Sequence, residues 1–232
     1  MIDFIKKNFE LKKILKSFIV IYLFFYRSVF NIIPMLIFDL DFTNISNKTL
    51  GYLNLYMGVV FLIIVLLIYF KDIINEFKIF IKKFWSNFDT GFKYWILGLG
   101  IMYISNLIFI LVFKSGGANN ENAVQEIIKA CPIGMGFYTC LVAPFVEEIV
   151  FRKTLKDVFK NKWFFVVLSF LFFGGAHVLS MAESFVDFLY IIPYGALGAT
   201  FAYAYHKTDT VFTTITFHMI HNTALFFLSI LM

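Results

Sequence analysis

Charge is the first thing this sequence lacks. Of its 232 residues only 15% are Asp, Glu, Lys or Arg, where a soluble domain carries roughly a quarter. Proline is scarce at four, and cysteine scarcer at two. So apolar a composition excludes a disordered chain, and so few cysteines exclude a disulfide scaffold. Cys131 and Cys140 lie nine residues apart in one apolar segment. That is about 13 Å along a helix, too far for a bridge. No cleavable leader is expected either. The basic start MIDFIKKNFELKKILKS runs into an apolar stretch that passes Phe38 without a small-residue cleavage site, so it reads as a retained span. What abounds is apolar surface. Hydrophobic residues make up 60% of the chain and Phe alone supplies 33, with a mean hydropathy of +0.82. A water-soluble core of this size cannot hide that much. The fold class is therefore all-α, a polytopic transmembrane helical bundle.

At about 20 residues per crossing, seven segments qualify: Ile14 to Phe38 (interrupted by Arg27 and Pro34), Leu50 to Phe70, Tyr94 to Phe113, Ile127 to Phe151, Trp163 to Met181, Phe185 to Tyr205 and Thr210 to Met232. The net charge of +5 would raise nucleic acid as a partner of a soluble protein. Here the lysines sit between apolar spans, so the charge speaks of orientation and no nucleic acid is expected. Sixteen of the 20 Lys and Arg fall in the N-terminal tail (Lys6, Lys7, Lys12, Lys13, Lys16) and in alternate connections, from Lys71 to Lys93, from Arg152 to Lys162, and at Lys207. The positive-inside rule puts these in the cytoplasm, with the N-terminus inside and the C-terminus outside. Between Lys71 and Lys93, apolar residues recur every three or four positions among Lys and Glu, which predicts an interfacial amphipathic helix. KSGGANNENAVQE reads as a solvated loop. The expected organisation is a membrane anchor over 1–124 with three spans and the interfacial helix, and a four-span core over 125–232.

Polar groups inside spans cost a few kcal/mol each, so they mark the places to look for function. The fourth span ends Ala143-Pro144-Phe145-Val146-Glu147-Glu148-Ile149-Val150-Phe151-Arg152. Pro144 cannot donate to the carbonyl of Cys140 and should kink the helix. Glu148 and Arg152 are four apart and share a face, while Glu147 is turned about 100° away and stays free to face the bundle. The fifth span carries Phe173-Gly174-Gly175-Ala176-His177, whose small residues allow close helix contact. The seventh carries His218-Met219-Ile220-His221-Asn222, with His218 and Asn222 on one face. Each set alone could simply brace a helix bundle. Together they offer a carboxylate and histidines for general acid/base work on a water, and His218 and Asn222 as donors to an oxyanion. That machinery hydrolyses an amide with no serine or cysteine nucleophile.

The run Glu147-Glu148-x-x-x-Arg152, then Phe173-x-x-x-His177, then His218-x-x-x-Asn222 resembles the CPBP family, which includes CAAX prenyl endopeptidases, bacteriocin-processing enzymes and Abi proteins. The resemblance covers roughly residues 125 to 232. It implies an intramembrane endopeptidase in which Glu147 and His177 activate water, His218 and Asn222 stabilise the tetrahedral oxyanion, and Glu148 and Arg152 position the acidic pair. The glycine that follows the family's arginine is replaced by Lys153, a change expected to have little effect. The family is commonly called metalloprotease, and Glu147, His177 and His218 are in principle enough for catalytic zinc. However, no His-Glu-x-x-His pair is present, and a metal-free glutamate mechanism suits the residue types at least as well. The implied partners are the lipid bilayer and a membrane protein or peptide substrate, prenylated or not. Usage rich in Lys, Phe, Ile and Asn points to an AT-rich bacterial genome, hence to a bacterial cytoplasmic membrane and to peptide processing. A non-catalytic immunity or scaffold protein and a proton-coupled transporter are the competing readings. One geometric condition is strict. Glu147 must lie deep enough to meet His177, so the fourth helix should continue past Arg152 towards Phe159, or the fifth should tilt. A carboxyl-to-imidazole gap beyond about 10 Å defeats a bridging water.

Overall fold

The computed structural model describes residues 2–41, 44–114 and 118–231, and leaves the side chains of 2–9 and of Asn119 outside that description. Lys6 and Lys7, counted above with the basic tail, therefore fall outside the described side chains, as do Ser115, Gly116 and Gly117 of the KSGGANNENAVQE segment. The described secondary structure is helical: α1 Ile2–Phe25, a 3-10 turn Arg27–Asn31, α2 Ile32–Ile37, α3 Asn47–Lys82, α4 Phe84–Phe113, α5 Asn119–Ala130, α6 Pro132–Val158, α7 Lys162–Val178, α8 Phe185–Leu189, α9 Ile191–Thr208 and α10 Val211–Leu231. Five of the described stretches are long and apolar enough to cross a membrane: α3, α4, α6, α8 with α9, and α10. The first apolar segment is a sixth, bent by 57° between Phe25 and Arg27, and α7 is a shorter apolar helix of the same bundle. The chain is an integral membrane protein of about seven spans.

Three expectations change. Lys71 to Lys93 is not a separate interfacial helix. Nothing in it breaks a helix before Lys83, so α3 runs on to Lys82 and the remainder opens α4. Ile73 and Phe80 face the bundle and are buried together with Glu76, while Ile74, Phe77, Ile81 and Phe84 stay exposed. The solvated loop is the second change. From Asn119 to Ala130 the chain is helical, because Val124, Ile127, Ile128 and Cys131 fall at spacings of three and four and pack with Met135 and Leu50. The polar composition hid that stripe. The third follows from it: Ile127 to Ala130 end α5, and the fourth span starts only at Pro132, a proline suited to a first helical turn.

Helices α7 and α9 approach closely through glycine. A Cβ on Gly174 of α7 would stand 2.7 Å from the Ile191 carbonyl of α9, and one on Gly198 of α9 would stand 2.7 Å from the Ser169 carbonyl. Asn161 caps α7 by accepting from the N–H of Trp163 and of Phe164, each at 3.0 Å. Asp209, at φ 53°, ends α9 and turns the chain into α10. The expected kink at Pro144 takes the form of a π turn. Tyr138–Val142 is π-helical, and a second π turn covers Ile149–Lys153, so the two bracket Glu147 and Glu148.

Candidate active site

Helix α6 delivers the two glutamates to different surroundings. Glu148 is fully buried. Its Oε2 lies 3.2 Å from Arg152 Nε, and its Oε1 accepts from His218 Nδ1 at 2.9 Å. The Arg152 guanidinium, also fully buried, sits 4.3 Å from the centre of the Phe173 ring, a cation–π arrangement that replaces part of its lost hydration. Glu147, one residue earlier, turns into a cavity of about 1160 Å³. His177 Nε2 stands 4.0 Å from its Oε2, and His218 Nε2 stands 3.8 Å from the same atom.

The depth condition is met. Helix α6 continues to Val158, which sets Glu147 about 16 Å above that end. His177 rises about 22 Å from the start of α7. The difference of roughly one helical turn is absorbed between the two helices.

Both imidazoles are oriented from behind. His177 Nδ1 is 2.8 Å from the Phe173 carbonyl, and His218 Nδ1 is 2.9 Å from the Glu148 carboxylate. A carbonyl and a carboxylate only accept. Each ring therefore carries hydrogen on Nδ1 and presents Nε2 to Glu147. The His177 ring is further clamped between Phe173, at 4.5 Å between centroids, and Tyr194, at 4.7 Å and stacked. Asn222 lines the same cavity, and its amide donates to the Thr139 carbonyl at 2.9 Å. That leaves one amide hydrogen and the carbonyl oxygen uncommitted by this bond.

All six motif residues thus gather around one cavity wall, four of them (Glu147, His177, His218, Asn222) lining it and two (Glu148, Arg152) directly behind. The sequence reading did not single out Tyr194, Thr139 or Tyr138, which also line it. Tyr194 follows Pro193 in the sixth span, an aromatic next to a helix-perturbing residue, but nothing local pairs it with His177. Arg27, unexplained in the sequence, lines the cavity as well.

The set does not match a metal centre as placed. Tetrahedral zinc ligands stand about 3.3 Å apart at normal bond lengths, whereas these atoms are 3.8 and 4.0 Å from Glu147. Among the described residues no three His, Cys, Asp or Glu are arranged to hold a metal ion.

Lys153 lies outside the Glu147 cluster. It is buried, and its ammonium donates to both oxygens of Asp157 at 2.9 and 3.0 Å and lies 3.4 Å from Glu76 of α3. The residue that replaces the family's glycine is a buried link between the two halves of the chain.

Residues 129–224 match the family model for type II CAAX prenyl endopeptidase, Rce1-like. The chain is also 30% identical over 144 residues to a Bacillus subtilis protein named "Putative membrane peptidase YdiL", an alignment covering 55% of each chain. The chain thus spans about half the length of the curated relative it matches. No solved structure matches. The three motifs, their convergence on one cavity and these matches agree, and residues 129–224 are similar to the Rce1-like type II CAAX prenyl endopeptidase family.

Proposed function

We propose that this protein is a membrane-embedded endopeptidase in which Glu147 and His177 activate water and His218 and Asn222 receive the oxyanion. The observation that carries the reading is the trio of Glu147 Oε2, His177 Nε2 and His218 Nε2 on the cavity wall. These are lone-pair atoms, and none can satisfy another without hydrogens from elsewhere. A water placed 2.8 Å from both Glu147 and His177 closes a triangle of about 90° at its oxygen. Its two hydrogens point at those atoms and its lone pairs face the cavity. Attack on a peptide carbonyl forms the C–O bond while one water proton passes to Glu147 or His177. The carbonyl oxygen becomes the oxyanion. The uncommitted Asn222 amide hydrogen donates to it, and His218, held at Nδ1 by the Glu148 carboxylate, becomes the second donor once its Nε2 takes up a solvent proton. Collapse breaks the C–N bond, and the stored proton goes to the leaving amine. Metal is not required by this scheme.

The substrate is a membrane-associated peptide or protein, and peptide processing in a bacterial cytoplasmic membrane suits the residue usage better than prenylated substrates do. The test compares wild type with Glu147→Gln at matched protein level, reading peptide termini by mass spectrometry. Termini present only with the wild type support the protease. Identical termini, with any immunity phenotype intact in the variant, favour a non-catalytic membrane binding protein.

A further inference from the structure

Arg27 is a charged residue of the cavity lining that the proposed reaction does not use. It stands at the 57° break of the first apolar segment and opens the 3-10 turn. Helical rise from Lys16 to Phe25 lifts it about 13 Å from the lysine-rich end of the bundle, close to the middle of a bilayer core of about 30 Å. A guanidinium at such a depth costs about 2.5–3.5 kcal/mol, so it needs a reason. Elsewhere at depth or near it, cations are neutralised: Lys16 by Asp72, Arg152 by Glu148, Lys153 by Asp157 and Lys156 by Asp209. Arg27 has no carboxylate within 4.0 Å among the described residues. Its Nη1 donates to the Phe24 carbonyl at 2.8 Å, and the guanidinium lies 3.8 Å from the Phe24 ring centre. Those contacts hold the fork in place. They use one of its five N–H donors and leave its charge uncompensated.

The same cavity therefore has a cation at one place and the Glu147 centre at another; Glu121 also lines it without an ion pair to Arg27, and its apolar walls include Met102, Ile110, Leu171 and Phe201. We propose that Arg27 is a specificity-determining residue that binds a carboxylate of the substrate, so that the preferred substrate is an apolar peptide carrying a carboxylate next to the segment held at Glu147. The planar fork matches a carboxylate with two parallel bonds, and little water competes in this setting. The carboxylate is the peptide's free C-terminus or an acidic side chain, and both share this chemistry. The proposal rests on the protease reading for its meaning, but carboxylate binding itself is separable from hydrolysis.

The test uses the full chain in detergent micelles with Glu147→Gln in place, so that ligands are not consumed. The probes are one fluorescent apolar octapeptide made in three forms: free C-terminus, C-terminal amide, and C-terminal amide with one internal Asp. Binding at least about tenfold tighter for an acid form than for the plain amide is expected, as for a hydrogen-bonded charged pair. Adding Arg27→Gln should remove that preference, and Arg27→Lys should keep part of it. Size exclusion and thermal melting show that these variants are folded. Which acid form gains identifies the source of the carboxylate. Equal binding of all three forms, a preference that survives Arg27→Gln, or no saturable binding of any form overturns the proposal. A parallel incubation of the peptides with the Glu147 wild type tests the protease reading separately. An Arg27-dependent preference without cleavage defeats that reading alone, and cleavage indifferent to the carboxylate defeats this one alone.

Discussion

Two clusters of buried charge lie in this bundle, and they are built on opposite principles. At the lysine-rich end, Glu76 of α3 receives the Tyr205 hydroxyl at 2.9 Å and the Val211 N–H at 2.8 Å, with Lys153 at 3.4 Å. Lys153 is in turn held by Asp157, and Thr210 donates to the Glu76 carbonyl at 2.8 Å. Four helices, α3, α6, α9 and α10, are tied together there, and the central groups have partners. Around Glu147 the partners are missing. The nearest imidazole nitrogens stand at 3.8 and 4.0 Å, beyond hydrogen-bonding distance, and face a cavity. A sequence selected only for stability would close such a gap. A closed cluster braces the bundle, and an open one beside a cavity is what the proposed hydrolysis requires.

That contrast can be broken experimentally from either side. The largest effect should come from Glu147→Gln, which keeps shape but removes the base. Turnover should fall by about 10³-fold, within the usual span of general-base catalysis, while the melting temperature in detergent stays near that of the wild type. Lys153→Met attacks the other cluster and leaves Glu76 and Asp157 buried together without their cation. It should destabilise by about 3–5 kcal/mol, read by denaturant unfolding in micelles, with cleavage per folded molecule largely retained. Were Lys153→Met to abolish cleavage at unchanged stability, the two clusters would not be separable. Tyr194→Leu removes the ring stacked on His177 and should cost about 0.5–1.5 kcal/mol of transition-state stabilisation, up to about tenfold in kcat with KM little changed. The smallest effect is expected from chelation. Incubation with a strong zinc chelator should leave cleavage rates unchanged, and a loss restored by added zinc would rewrite the role of the two histidines.

The open cluster was largely legible in the sequence, and the closed one was not. Glu148 with Arg152, and His218 with Asn222, repeat at four residues, so one helical face announces each pair. The segregation of Glu147 from Glu148 follows from a 100° turn. Convergence of α6, α7 and α10 on a single point has no such local signature; it is inferred from the chemistry the three polar sets could perform together, and the family resemblance reinforces it. Lys153 could not be read at all, because its partner Glu76 is 77 positions away and both look like solvated charges at span ends. The π turns either side of the acidic pair are equally silent in a pattern search that assumes 3.6 residues per turn. α5 was missed because a polar composition outweighed a narrow apolar stripe.

The short reach of α7 has a consequence for the lipid around it. Seventeen residues rise about 25 Å, several ångströms less than an average hydrocarbon layer of about 30 Å. Lipid beside this helix must compress to meet its ends, at a cost of a fraction of a kcal/mol per ångström of mismatch. His177 sits in the last turn of that helix. Thinning of the lipid there would bring the headgroup layer towards His177 and open a route for water to the cavity. Thicker bilayers should therefore slow the proposed hydrolysis by drying the site.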